Sequence, residues 1–255
     1  MATTSVLSSI TRMGRNEPFD LQVGRGQITG HQSVFLFGYS ASITNAAFIP
    51  AWENTAAYTY PASAVAMSIV STSASDTTVN IIVYGLDINY NPINETVLLT
   101  GTTPVVTTAL FFRVNQLDVL PDSPNPVGVI TAKNGGVTYG QIAVDTGQSN
   151  MSVYTVPAGY SLYGTHVAAW SSTSVTSGVY ATFRAQALSP AGTKYIVSQA
   201  PFLNTFEFAA QYPLKFVEKT DVQFQFKSSG AGLGIGTIFE GVLIADNGQS
   251  VGSVR

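Results

Sequence analysis

The stretch V-Y-A-T-F-R-A-Q-A (residues 179–187) places Val179, Ala181, Phe183, Ala185 and Ala187 on one side of an extended chain and Tyr180, Thr182, Arg184 and Gln186 on the other. A period of two is the mark of a β-strand with one buried face and one wet or interfacial face. The stretch D-V-Q-F-Q-F-K (residues 221–227) repeats the pattern, with Val222, Phe224 and Phe226 inward and Gln223, Gln225 and Lys227 outward. No window of helical length carries apolar residues at three- and four-residue spacing. The expected class is therefore all-β: two β-sandwich, jelly-roll-like domains joined by a Pro/Gly-rich bridge, with an extended N-terminal arm.

Working outward, M-S-V-Y-T-V-P-A-G-Y-S-L-Y-G-T (residues 151–165) has strand-like runs on both sides of Pro157-Ala158-Gly159. Pro157 fixes φ and Gly159 admits positive φ, so the reading is a hairpin corner that opens a second domain over residues 151–255. Residues 121–150 form the bridge. P-D-S-P-N-P is a stiff connector there, and Asn134-Gly135 favours a type I′ turn in a small hairpin. Residues 25–120 make the first sandwich, with strands expected at 33–37, 56–60, 66–71, 78–84, 93–100 and 111–120. Ile82 and Tyr84 make the second face of their strand apolar as well, which predicts a central strand. Residues 1–24 are the arm, read either as a frayed terminus or as a segment that orders against a neighbouring subunit.

Composition narrows the function classes. Charged residues are 10% of the chain, against about 25% in an average soluble domain. So sparse a charge gives little defence against association, which favours an oligomer or a larger assembly. The net charge is −3 and the 11 basic residues are scattered, so no stripe exists to neutralise a nucleic-acid backbone. There is no cysteine, hence no disulfide or thiolate metal site. No apolar run approaches the ~20 residues of a membrane span, and the first residues carry no basic and apolar export pattern. Neither nucleic acid nor membrane is expected as a partner.

Several stretches resemble a known family. Besides residues 151–165, these are Q-Y-P-L-K-F-V-E-K-T-D-V-Q-F (residues 211–224), R-G-Q-I-T-G-H-Q-S-V-F-L-F-G (residues 25–38), S-D-T-T-V-N-I-I-V-Y-G-L-D-I-N-Y-N-P-I-N-E-T-V-L-L-T-G (residues 75–101) and F-F-R-V-N-Q-L-D-V (residues 111–119). Together they resemble virion structural proteins of tailed bacteriophages, frequent in cyanophages and other marine phages. The resemblance implies a virion protein built in the host cytoplasm and carries no catalytic motif. A capsid decoration or cement protein, a homo-oligomer such as a trimer seated on the major capsid protein, is the favoured reading. A tail, baseplate or receptor-binding component is the alternative.

Chemical sites are declined one by one. His31 and His166 lack ligand spacing and are read as hydrogen-bonded structural histidines. Asp87, Asn89 and Asn91 imitate a calcium loop, but Pro92 and Leu98 stand where glycine and glutamate are needed, which leaves an Asx turn. Gly230, Gly232, Gly234 and Gly236 fit no phosphate-loop spacing. No catalytic, cofactor or metal residue is assigned, and no enzyme is expected. Trp52 is open to a core, interface or ligand-platform role. The candidates for subunit contact are Arg12, Arg15, Arg25, Trp52, Phe202, Phe206, Phe208 and Tyr212. For the alternative reading, Tyr160, Tyr163 and Trp170 are the aromatic groups that could meet a glycan.

Overall fold

The computed structural model describes residues 17–172, 178–230 and 232–246. After a short helix α1 (Phe19–Gly24), the chain enters β1 (His31–Ile43) and the two-residue β2 (Ile49–Pro50). Seven strands follow: β3 (Val65–Ser71), β4 (Asn80–Leu86), β5 (Pro92–Leu98), β6 (Val105–Phe111), β7 (Arg113–Val119), β8 (Ile130–Asn134) and β9 (Val137–Ile142). The last seven are β10 (Val153–Thr155), β11 (Tyr160–Ser171), β12 (Ala181–Leu188), β13 (Lys194–Phe202), β14 (Thr205–Phe216), β15 (Asp221–Ser228) and β16 (Leu233–Ala245).

The strands form two sandwiches. One faces sheet β1-β16-β11-β14 against sheet β10-β15-β12-β13, with β2 also on β15. The other is built from sheets β6-β3-β8-β9 and β5-β4-β7. If β2 and β10 count as a single strand, the first sandwich has eight strands in the order 1-8-3-6 and 2-7-4-5, a jelly roll. That count is physical. Ile49 and Pro50 pair with Phe226 and Gln225, and Val153, Tyr154 and Thr155 continue the register on Gln223, Val222 and Asp221. Phe224 between them bonds to both segments, its carbonyl accepting from the Ala51 amide and its amide donating to the Ser152 carbonyl. The second sandwich is thus inserted inside one strand of the first. Trp52 and Met151 pair across the neck, and the Ser152 amide donates to the Ala51 carbonyl at 2.9 Å.

Each sandwich has its own core. In the jelly roll, Phe224 stacks on Phe239 of the opposite sheet at 4.6 Å between centroids, and Phe183 and Phe226 pack beside them. Met67, Ile69, Ile81, Val83, Phe111, Leu117 and Ile142 fill the insert. Gly38 of β1 runs under the neck, where a Cβ would come within 2.6 Å of the Ala51 carbonyl and of Ser152. Only glycine lets β1 pass that close.

The all-β sandwich class stands, but the expected division of the chain needs correction. The expected first domain of residues 25–120 contains β1, yet β1 pairs along most of its length with β16. The bridge of residues 121–150 is no linker. Its hairpin β8–β9 exists, with Gly135 and Gly136 both at positive φ, but β8 pairs with β3 and completes the insert. Residues 151–165 are not a hairpin: β10 and β11 lie in opposite sheets, so Pro157-Ala158-Gly159 arches from one layer to the other. The described part of the expected extended arm is helical over Phe19–Gly24. No strand forms at residues 56–60, and β6 was not foreseen.

Because both ends of the insert meet at the neck, replacing residues 53–150 by Asn-Gly, which suits a two-residue turn, is expected to leave a jelly roll that unfolds cooperatively. Urea titration followed by circular dichroism checks this. A non-cooperative, featureless profile would mean that the interrupted strand cannot close without the insert.

Candidate functional site

The place where the two sandwiches meet holds the densest polar chemistry among the described residues. β7 of the insert has almost every residue buried and lies against β10 of the jelly roll. From it, Arg113 reaches Asp221 of β15 with both ends of its fork, Nε to Oδ1 at 2.8 Å and Nη2 to Oδ2 at 3.0 Å. Thr155 of β10 donates its hydroxyl to Asp221 Oδ1 at 2.6 Å. The remaining Arg113 nitrogen donates to the Phe112 carbonyl at 2.8 Å. The guanidinium lies 4.0 Å from the Phe112 ring centre and 4.6 Å from that of Tyr60, with Tyr90 at 5.5 Å.

Burial alone would lower the Arg113 pKa, but the hydrogen bonds and charge of Asp221 outweigh it and raise the value. Burial, reinforced by the Asp221 charge, pushes the Tyr58 and Tyr60 phenols up, so both remain neutral. Tyr58 donates to the Tyr139 carbonyl of the insert at 3.1 Å, and Tyr60 accepts from Gln223 of the jelly roll at 3.1 Å. Next along β7, the Asn115 side chain imitates a strand partner for β10. It accepts from the Thr155 amide at 2.9 Å and donates to the Thr155 carbonyl at 3.1 Å.

A polar row continues from this junction over the outer face of β15 and β12. Gln225 donates to Gln223 at 2.6 Å and accepts from Arg184 Nε at 2.9 Å, while the Arg184 guanidinium covers the Phe48 ring at 3.9 Å. Gln186, Gln223 and Gln225 are all buried although their strand positions face outward. The outward face read from residues 221–227 is thus interfacial within the chain. A bidentate, fully partnered ion pair fixes orientation more than it adds net stability, because desolvation offsets most of the attraction. What the cluster does chemically is join β7 of the insert to β10 and β15 of the jelly roll through buried, mutually partnered polar groups.

The expected contact residues do not gather in one place. Arg12 and Arg15 lie outside the described residues. Arg25 pairs with Glu17 at 2.7 Å on the surface. Trp52 is buried in the neck against Tyr58, Met151 and Val153, its indole donating to the Ala56 carbonyl at 2.8 Å, so it has the core role. Phe202 is buried, and Phe206 packs on Phe183 at 4.7 Å; both close the end of the jelly-roll core instead of facing out. Phe208 and Tyr212 are exposed, Tyr212 at 80%, on the edge strand β14. His31 contacts the Thr29 carbonyl, and His166 lies between Glu207 and Glu240 at 3.2 and 3.5 Å. Asp87 organises an Asx turn by accepting from the Asn89 and Asn91 amides at 2.8 Å each. Among the described residues no group of three or more His, Asp or Glu side chains is placed to hold a metal ion.

The sequence reading missed Arg113, Asn115, Thr155 and Asp221. One signal was present, a charge set inside the apolar run F-F-R-V in a chain where charge is scarce. A strand position that spends a charge there needs a buried partner.

No family model and no curated protein matches the chain. Among solved structures, it is similar to a chain from "Structure of infectious bursal disease virus Gt strain" at 12% identity, over 90% of this chain and 78% of that one, with a TM-score of 0.24. At that score the likeness carries no argument.

Arg113→Met removes one partner and leaves a buried carboxylate, a change that costs about 3–5 kcal/mol when a buried pair is broken. Denaturant titration should show that loss, and the double variant Arg113→Met with Asp221→Leu should regain a large part of it. Additive losses in the double-mutant cycle would show that the pair is not coupled.

Proposed function

We propose that this chain is a non-enzymatic structural component of a tailed-phage virion, a capsid decoration protein that sits as a homo-oligomer, a trimer, on the major capsid protein and bridges capsomers. The observation that carries the assembly reading is the amount of apolar surface left outside on both sandwiches. Phe35 (60%), Leu98, Val106 (61%), Leu110, Tyr195 and Ile196 are all exposed, in a chain with few charges to keep copies apart. Scattered exposed apolar residues are ordinary, but here they recur on strand faces and edges.

A jelly roll occurs in viral shells, lectins and cupins alike, so the fold does not select among them. The resemblance of residues 25–38, 75–101, 111–119, 151–165 and 211–224 to phage virion proteins supports the particle, and the joined pair of sandwiches suits a clamp. A clamp that binds only the closed shell stabilises it by mass action. The alternative, a tail component that meets a host surface, is favoured by one observation: Trp170 and Tyr163 lie on the outer face of a jelly-roll sheet and keep part of their surface exposed.

Particles assembled without this chain are expected to release their DNA at lower temperature and lower salt stress than complete particles, with added chain restoring the difference. Equal resistance in a DNA-release assay would contradict the cement role.

A further inference from the structure

The outer face of sheet β1-β16-β11-β14 departs from what a solvated antiparallel sheet should show. Such a face alternates apolar inward and polar outward. In β1 the inward residues Val34 and Leu36 are core, but the outward Phe35 and Phe37 are aromatic. They pair across to Glu240 and Ile238 of β16, and those to His166 and Ala168 of β11. β16 reads L-G-I-G-T-I-F-E-G-V-L-I-A, a nearly continuous apolar run of the kind found in strands covered on both faces. One face meets the core through Ile235, Phe239 and Leu243. On the other, Ile238 and Val242 are only partly buried. Helix α1 packs at the His31 end of β1, with Phe19 edge-on to His31 at 5.9 Å, and no other element among the described residues makes comparable contact with this face.

The face is built to be flat. Trp170 and Gly236 are paired, and a Cβ at Gly236 would come 2.5 Å from the indole, so the ring lies across the β16 backbone. From there it stacks on Phe37 of β1, 6.2 Å between centroids and 18° from parallel. An aromatic layer pressed onto the sheet leaves a surface that another sheet or loop can meet without large side chains in the way.

We infer that this face, centred on Phe35, Phe37, Trp170, Ile238 and Val242, is the surface through which copies of this chain associate. Area argues for a second copy. The four strands are 12 or 13 residues long; at about 3.3 Å per residue and about 4.8 Å between strands they present about 750 Å². A stable protein interface buries about 600–1,000 Å² per partner, so a copy of this chain that covers the face falls within the size a specific oligomer needs. Charge is consistent with a like partner: the face carries both signs, Glu207 and Glu240 against Lys215, so a neighbouring copy meets no single-sign field.

The inference deepens the homo-oligomeric part of the particle reading, but its test uses only the purified full-length chain, so the two fail separately. Sedimentation velocity and light scattering should find a dimer or larger species. Phe35→Lys and Ile238→Gln should each weaken association at least tenfold, with the circular dichroism spectrum unchanged and the melting temperature lowered only as far as lost association requires. Ile88→Ser, in the exposed β4–β5 turn of the inserted sandwich, should leave association as it was. If Phe35→Lys fails to fold, the unmodified chain still decides: Trp52 is buried in the neck, so any change of tryptophan emission on dilution reports Trp170. A chain monomeric at its highest soluble concentration overturns the inference. So does an oligomer untouched by Phe35→Lys and Ile238→Gln, one dissociated by Ile88→Ser, or emission constant through dissociation.

Discussion

A buried carboxylate on β15 sets the terms for the rest of the molecule. Asp221 closes the register in which β15 receives two separate segments of chain, β2 and β10, as one neighbouring strand, and its charge is met by Arg113 from the inserted sandwich. A carboxylate so placed is tolerable only when its oxygens are filled, and Arg113 with Thr155 fills them. The insert therefore cannot swing about its neck without exposing or orphaning a charge. Trp52 and Met151 hold the neck, Asn115 caps β10, and the Tyr60–Gln223–Gln225–Arg184 row extends the same constraint across the sheet. The product is two sandwiches joined through a buried polar junction instead of two domains on a tether.

Legibility in the sequence followed the range of the interactions. The β4–β5 and β8–β9 hairpins were readable because their turns carry Asp87 to Asn91 and Gly135-Gly136, residues that impose the geometry locally. The alternation at residues 179–187 and 221–227 correctly placed Phe183, Phe224 and Phe226 in the core. Sheet membership was not readable, because the pairing of β1 with β16 closes a loop of some two hundred residues, and nothing in either strand names its partner. The Pro157-Ala158-Gly159 corner illustrates the ambiguity. Fixed φ followed by positive φ turns the chain whether it returns to its own sheet or crosses to the opposite one. The insertion was hidden for a related reason: β2 contributes only two residues, too few for any periodicity, so the strand it shares with β10 is visible only from β15. For the interdomain lock the one clue was chemical, the charge of Arg113 inside an apolar run.

The functional reading rests on a mismatch between patterning and environment. Within the body, polar groups that face outward on β12 and β15 are buried and partnered, while apolar groups on β1 and the edge strand β13 face solvent and Ile238 and Val242 of β16 are only partly buried. A chain so short of charge has its polar side chains committed internally and its apolar ones left for contacts. That arrangement suits a component whose final environment is other protein surface. A broad flat face and exposed edges distribute contacts over many weak points, which a repeating lattice multiplies. No deep polar cleft is needed for such a role, since its chemistry is burial.

Imaging of intact phage particles by electron microscopy, with a label attached at the exposed insert loop around Ile88, separates a place on the head shell from one on the tail. A decoration protein places labels at repeated, symmetry-related positions over the head shell. Purified particles without label, or with label restricted to the tail, would contradict the decoration reading.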